Sequence, residues 1–493
     1  MAGPEKTVLL LSLPNFDRRY IFHKEMGSGV GFKSLRPPEL QTRPRRIYPI
    51  AELQYAAAVL REAGHNPVID DDQYRDSVDP AAYRQALQAR CPEPDVIFVR
   101  TSLPTLFTDL DLTQNLRSLY PDVPCHVFGP LFAATEVVDF VKQQRVYDGV
   151  VASEIESVIL EIVEERAPST VPGFHHLKNG SYACGDPSRR LTDMQALPLP
   201  AYDLVDYRKM DRFIVQTSRG CPIGCNYCPY FISQGNKFRA KTPDRALAEF
   251  RHIAENFGAQ RVIIHDPIFT LDKKRIIGLC ENLIEADLGI EWECESHMNH
   301  LDPELIALMY RAGLRILAFG VESANEEVLK RAGRRFKNWD RMKENVAAAR
   351  ALGVETRAYF ILALPGDTIS GAYATIDLAK YIGADLSKFN LPNPYPGTGA
   401  YETALSEGWL DREQFETDRE AFYRARGLHG HGEPSMTPHM SDLQARYLSR
   451  IGNHSVQMES ERGFRLSRRS KILAYKAAVH GIDALRQVGV QVG

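Results

Sequence analysis

The 493-residue chain is long enough for two or three domains, each with a sizeable core. A formal net charge of −3 leaves no nucleic-acid footprint and no polybasic patch for a membrane surface. No apolar run of about 18 residues occurs, and the start Met1-Ala2-Gly3-Pro4-Glu5-Lys6 lacks a signal-peptide pattern. A cytoplasmic protein is expected, with no nucleic-acid and no membrane partner.

In chain order, Thr7 to Leu13 is a short apolar run stopped by Pro14 and predicts a buried strand. After a long loop, Ile50 to Ala63 repeats apolar residues at helical spacing and stops at Gly64. Strand and helix patterns then alternate. Pro67–Ile69, Val96–Val99, Cys125–Phe128 and Gly149–Val151 read as strands; Pro80–Ala89, Leu110–Leu119, Val137–Gln144 and Glu156–Glu165 read as helices. This alternation predicts a doubly wound parallel sheet, whose ligands bind at the carboxyl ends of the strands. Residues 167–210, with Pro168, Pro172, Pro198 and Pro200, read as a linker.

A second series begins at Phe213. Strands are expected at Phe213–Thr217, Arg261–His265, Glu291–Glu295, Ile316–Val321, Glu355–Leu362 and Asp385–Asn390, with helices such as Pro243–Asn256, Lys274–Ala286 and Pro303–Ala312 between them. Beyond Leu410 the pattern is helical, with Asp442–Ile451 and Arg469–Arg486 as amphipathic candidates, so residues 411–493 are expected to cap the second unit. His429-Gly430-His431 is read as a solvated turn, because no further metal ligands accompany it.

The chemistry concentrates in Ser218-Arg219-Gly220-Cys221-Pro222-Ile223-Gly224-Cys225-Asn226-Tyr227-Cys228. Three cysteines, separated by three and two residues, lie in a loop after an apolar strand. Three thiolates from one loop can hold an iron–sulfur cluster and leave one iron open. Catalytic zinc also uses three protein ligands, but zinc loops usually begin with a two-residue gap. The other five cysteines (Cys91, Cys125, Cys184, Cys280, Cys294) are scattered, so reduced thiols are expected.

Cys-x3-Cys-x2-Cys with an aromatic before the last cysteine resembles the signature of radical SAM enzymes, and the likeness runs from about Gly3 to Leu410. It implies a partial (β/α)6 barrel over 211–410 and a [4Fe-4S] cluster on Cys221, Cys225 and Cys228. It also implies reductive cleavage of S-adenosylmethionine to a 5′-deoxyadenosyl radical, fed by an external flavodoxin- or ferredoxin-like reductant. The same resemblance places Tyr227 by the adenine. Asp266 in His265-Asp266-Pro267-Ile268-Phe269 falls at the SAM amino group, with helix capping as its structural alternative. Glu295 or Ser296 is expected to face the ribose hydroxyls, with a structural role as the alternative, and His297 stands where related sequences often carry Arg. Glu322 in Gly320-Val321-Glu322-Ser323 is expected at SAM or in catalysis; a buried Glu there needs a ligand or an Arg partner. Leu364-Pro365-Gly366-Asp367-Thr368 reads first as a tight turn, and Tyr395 as a substrate-side catalytic candidate on a mouth loop. Arg239, Lys241 and Arg357 are possible carboxylate or phosphate partners, with solvated charges as the default reading.

Residues 1–166 resemble the cobalamin-binding domain that precedes many radical SAM cores, which implies cobalamin as a further cofactor. The Asp-x-His-x-x-Gly motif is absent. Phe128-Gly129 replaces Gly-Gly, and Ser153-Glu154-Ile155-Glu156 replaces Gly-Glu-Gly-Glu, so Phe128 and Ile155 are expected to fill space a corrin would use. Two enzymatic readings follow. The favoured one is cobalamin-dependent C-methylation of a small, secondary-metabolite substrate; the alternative is a cobalamin-independent dehydratase acting on an aminosugar-like diol. A non-catalytic iron–sulfur sensor explains the cysteines but not the strand-end motifs.

Overall fold

The computed structural model describes residues 4–14, 20–23, 32–35, 49–71, 79–178, 180–184, 190–334, 338–418, 434–456 and 465–487. His429-Gly430-His431 lies outside them. The chain divides into two units, Met1–Cys221 with Pro229–Val262, and Pro222–Cys228 with Ile263–Arg412 and the C-terminal helices.

The first sheet holds β1 (Thr7–Ser12), β2 (Asn66–Asp71), β3 (Val96–Arg100), β4 (Cys125–Phe128), β5 (Gly149–Val151), β6 (Phe174–Lys178) and β7 (Ser181–Cys184), ordered β2-β1-β3-β4-β5-β6-β7. The first five are parallel. The order reverses direction at β1, so the switch point where doubly wound sheets bind ligands lies between β1 and β3. Helix Ala51–Glu62 packs on this sheet through Leu53, Ala56, Ala57 and Leu60, in one core with Val8, Leu10, Phe98, Phe128, Val151 and Ile155. The helix ends where Gly64 takes φ +86°.

Three local expectations need correction. Residues 167–210 are not wholly a linker: β6 and β7 run antiparallel to β5 and to each other, extending the sheet. Apart from the buried Phe174, the residues of Phe-His-His-Leu-Lys and Ser-Tyr-Ala-Cys are half-buried or exposed, and neither segment has the apolar run that marks a central strand. The expected helix from Glu156 is a 3-10 turn at Ile155–Ser157 followed by a short helix, Ile159–Val163. The early loop contains a two-stranded hairpin, Tyr20–His23 with Phe32–Leu35.

The second sheet holds β8 (Phe213–Val215), β9 (Arg261–Ile264), β10 (Glu291–Ser296), β11 (Leu314–Glu322), β12 (Glu355–Ile361) and β13 (Leu386–Asn390), with strand order equal to chain order. The pairs from β10 to β13 are parallel. Side-chain caps start most of the helices that follow the strands: Thr242, Asp272, Asp302, Asn325, Asn338 and Thr368 each accept a backbone N–H of the first turn. Each crossover therefore breaks at a defined residue, which fixes where every strand-end loop begins.

At the edge strand β13, helix Asp442–Val456 takes the place of a seventh strand. The Asn453 amide accepts from the Phe389 N–H at 3.0 Å and donates to the Phe389 carbonyl at 2.9 Å, and the Ser449 hydroxyl donates to that carbonyl at 2.8 Å. A helix thus satisfies backbone groups that an open edge would leave exposed. Among the described residues no helix is long and apolar enough to cross a membrane.

Candidate functional site

The cysteine loop is shaped by glycine. Gly220 has φ +81°, and a Cβ there would lie 2.1 Å from the Lys237 carbonyl, so no other residue fits. Ser218–Arg219 pairs antiparallel with Arg239–Ala240, and the Cys221 N–H donates to Gly235 O at 3.0 Å. Further on, the Asn226 N–H donates to Ala332 O at 3.1 Å and its amide to Arg331 O at 3.0 Å. Asn226 O in turn accepts from Ala400 N–H at 2.9 Å, which docks the loop carrying Tyr395. Gly333 closes on the loop with φ +72°; a Cβ there would lie 2.8 Å from Gly224 O. Cys225 is buried, Cys221 and Cys228 are half-buried, and none of the eight cysteines is in a disulfide.

Behind Cys221 stands an ion network that sequence reading missed. Arg219 donates to Glu156 at 2.7 Å and to Glu154 at 3.2 Å, while Arg239 contacts Glu154 at 2.9 Å with both terminal nitrogens. All four side chains are at most 8% exposed. The opposing arginines hold the Glu154 carboxyl below its ordinary range despite burial. Arg239 is therefore not a solvated charge. Nor is Lys241, which is wholly buried against Glu249 and Tyr55 and whose pKa burial lowers to about 8. Ser153-Glu154-Ile155-Glu156 thus anchors the residue two positions before Cys221. Ile155 and Phe128 point into the sheet's hydrophobic core.

Glu322 ends β11 in a left-handed conformation, φ +70°, after a register shift between Gly320 and Glu322. Its carboxylate folds back over Gly320, where a Cβ would lie 2.2 Å from Glu322 Oε1. The partner that a buried Glu demands is Arg334, with Nη1 at 3.5 Å from Glu322 Oε1. Arg334 also donates through Nη2 to Gly320 O at 2.5 Å, and Nη1 lies 3.9 Å from Cys225 Sγ. Burial raises the Glu322 pKa and Arg334 opposes the rise. Tyr227 packs against Val328, Ala332 and Leu364, and burial followed by the nearby Glu322 charge pushes its hydroxyl pKa well up. Sequence offered one faint signal for Arg334, an arginine directly after the glycine that ends the next helix.

Alternation along the strands separates two faces. Trp292, Cys294 and Ser296 of β10 are buried, as are Leu317, Phe319 and Val321 of β11. The other face is polar and half-buried, carrying Glu293 and Glu295 of β10 with Arg357 and Tyr359 of β12. Arg357 is half-buried rather than simply solvated, and it contacts Glu293 at 3.4 Å and Glu355 at 2.6 Å. Glu295 makes no side-chain hydrogen bond or ion pair with a described residue; burial, then Glu293 and Glu322, raises its pKa to about 7. Tyr359 nearby is raised to about 12 by burial and Glu295. Ser296 sits on the opposite face with its hydroxyl on Thr270. Glu295 and Ser296 are therefore not brought together.

Asp266 is buried with Arg275 at 3.8 Å, and the capping alternative fails because Asp272 caps the next helix. His297 caps the turn Met298–His300 through Nδ1, and burial beside Arg334 lowers its pKa to about 3. The turn after β12 is tight as read: Ala363 and Gly366 take φ +65° and +87°, and the Asp367 carboxylate accepts the Ala363 N–H at 2.9 Å.

Residues 215–379 match the family model described as the radical SAM superfamily. A radical SAM domain therefore occupies that stretch of the chain. The chain is 26% identical over 327 residues to an uncharacterised methyltransferase of Pyrococcus horikoshii, covering 64% of itself and 71% of the relative. Among solved structures it resembles the radical SAM methyltransferase TsrM from Kitasatospora setae, determined with cobalamin and a [4Fe-4S] cluster (TM-score 0.60, 16% identity, 81% of this chain and 76% of that one). It also resembles the cobalamin-dependent SAM radical enzyme OxsB (TM-score 0.61, 15% identity, 88% of this chain and 58% of that one). At these identities the likeness shows the fold.

The residues present fit the cluster that a radical SAM domain takes. Among the described residues no three His, Cys, Asp or Glu side chains converge as a single metal ion would need. A cubane asks for something else, three reduced thiols spread over its separate irons. Cys221, Cys225 and Cys228 are free thiols on one glycine-shaped, hydrogen-bonded loop, which suits it. Cys221, Cys225 and Cys228 would hold it.

Proposed function

We propose that the chain is a cobalamin-dependent radical SAM C-methyltransferase acting on a small molecule, with a secondary-metabolite precursor as the substrate class. The observation that carries the reading is the joining of a radical SAM domain to a parallel sheet of order 2-1-3-4-5, with Phe128 and Ile155 turned into the core. The likeness to two cobalamin-dependent enzymes supports it.

When bound, cluster and S-adenosylmethionine supply a 5′-deoxyadenosyl radical, and methylcobalamin supplies a methyl group. The chain's part is to place and shield. Tyr227 would line the adenine pocket, and Glu322, fixed by Arg334, would accept hydrogen bonds from a polar group of SAM. Asp266, buried beside Arg275, would meet the amino group. Glu295, which no described side chain pairs, would be open to the ribose or to substrate, while Ser296 on the other face is bonded to Thr270. Tyr395 stands on the substrate side of the mouth loop. No protein imidazole is assigned to cobalt. The functional organisation is 1–166, 167–210, 211–410 and 411–493, with the strands of 167–210 joined to the first sheet. A cytoplasmic setting and a flavodoxin- or ferredoxin-like donor suit a cluster that needs low-potential electrons.

The test is anaerobic reconstitution with iron, sulfide and hydroxocobalamin, followed by desalting and a visible spectrum. A retained stoichiometric corrin band beside the iron–sulfur shoulder is expected. A cluster without corrin would move the function to cobalamin-free radical chemistry such as dehydration, and a protein without iron would remove both readings.

A further inference from the structure

We propose that Arg334 is a positioning residue that raises the reduction potential of the cluster held by Cys221, Cys225 and Cys228. The proposal rests on the cluster reading above. Nη1 lies 3.9 Å from Cys225 Sγ, within reach of an N–H···S hydrogen bond. The side chain is only 10% exposed, so little solvent screens the charge. Nor can it swing away, because Nη2 is held by Gly320 O at 2.5 Å and Nη1 by Glu322 at 3.5 Å. Its backbone is fixed as well. Asn226 binds both Arg331 O and Ala332 O, and Gly333 presses on Gly224 O with no room for a side chain.

Iron–sulfur potentials respond to net charge, hydrogen bonds to sulfur and solvent exposure. Reduction moves one electron from an external one-electron donor to the cluster. No bond forms or breaks, and the charge beside Cys225 becomes more negative by one. A buried cation at that sulfur stabilises the reduced form more than the oxidised form. Glu322 opposes it, because its carboxylate balances part of the guanidinium charge. The pair thus works as a counterweight, with Arg334 raising the potential and Glu322 lowering it.

The experiment is an EPR-monitored redox titration of the full-length, reconstituted protein without S-adenosylmethionine. Arg334→Gln is expected to lower the midpoint by at least a tenfold change in the reduction equilibrium constant, about 59 mV for one electron. Arg334→Lys should stay near the wild type. Glu322→Gln should shift the midpoint upward, and it carries the test alone if Arg334→Gln fails to hold iron. A role confined to packing would reduce iron content without moving the potential of the clusters that form. An unchanged midpoint in loaded Arg334→Gln, or in Glu322→Gln, overturns the proposal. A wild-type protein that takes up no cluster would instead overturn the reading beneath it.

Discussion

No described side chain pairs with Glu295, and burial, then Glu293 and Glu322, raises its pKa to about 7. A carboxyl with an ordinary value of 4.5 keeps its proton in the folded chain over a range where the unfolded chain has released it. The folded state therefore binds more protons between about pH 4.5 and pH 7. Its contribution to stability is complete below that window and is lost as pH rises through it. Glu295→Gln removes the titration. In urea unfolding at pH 5 and pH 8, wild type should lose on the order of 2 kcal/mol more than the variant across that interval. Equal losses would mean that the carboxylate is ionised and solvated throughout. A cationic or hydrogen-bonding ligand that meets Glu295 would pull the same titration to lower pH. Repeating the comparison with S-adenosylmethionine bound therefore reads whether the residue belongs to the cofactor.

Among elements, the strand before the cysteines depends on charges far away in the chain. Glu154 faces two arginines inside a network almost closed to water. Glu154→Ala leaves their charges partly unbalanced, and breaking a buried pair on one side typically costs about 3–5 kcal/mol. We expect a fall of that size in denaturant stability and lower iron content on reconstitution, because Arg219 loses the contact that orients Gly220 and Cys221. Glu154→Gln, which keeps the shape and some hydrogen bonds, should fall between. Normal iron uptake in a folded Glu154→Ala protein would show that the loop is shaped by its glycines alone. This network also marks where sequence stops being readable. Buried parallel strands such as Val96–Arg100 announce themselves as continuous apolar runs, and caps such as Asp272 and Asp302 mark helix starts by local chemistry. The three cysteines were legible because their spacing is itself the chemistry. Arg219 and Glu154 are 65 residues apart and Arg334 and Cys225 are 109 apart, so only the fold pairs them. Half-exposed strands such as Ser181–Cys184 carry no apolar period at all.

For the whole molecule, the question is whether the two cofactor regions are built independently. The N-terminal sheet closes its own core from Val8, Leu10, Phe98, Phe128 and Val151 with helix Ala51–Glu62, and no cysteine of the loop takes part. Its ligand edge lies at the β1/β3 switch point. There Thr101 and Thr105 spend their hydroxyls on Asp109, and Gly129 fits so closely that a Cβ would lie 2.4 Å from Thr101 O. These contacts are local to the sheet and do not need a cluster. Replacing Cys221, Cys225 and Cys228 together by Ala should therefore abolish iron binding and S-adenosylmethionine cleavage while leaving corrin uptake within about twofold of wild type. The measurement is hydroxocobalamin binding by absorbance titration of the full-length variant, with iron assayed in parallel. Two-state unfolding with an unchanged midpoint would confirm that the sheet is intact. Loss of corrin together with iron would mean that the cluster loop organises the corrin edge, and methyl donor and radical source would then have to be assembled as one unit. Retained corrin would mean that the sheet arrives preformed, and that the ion network at Glu154 carries position, not cofactor occupancy, to the cysteine loop.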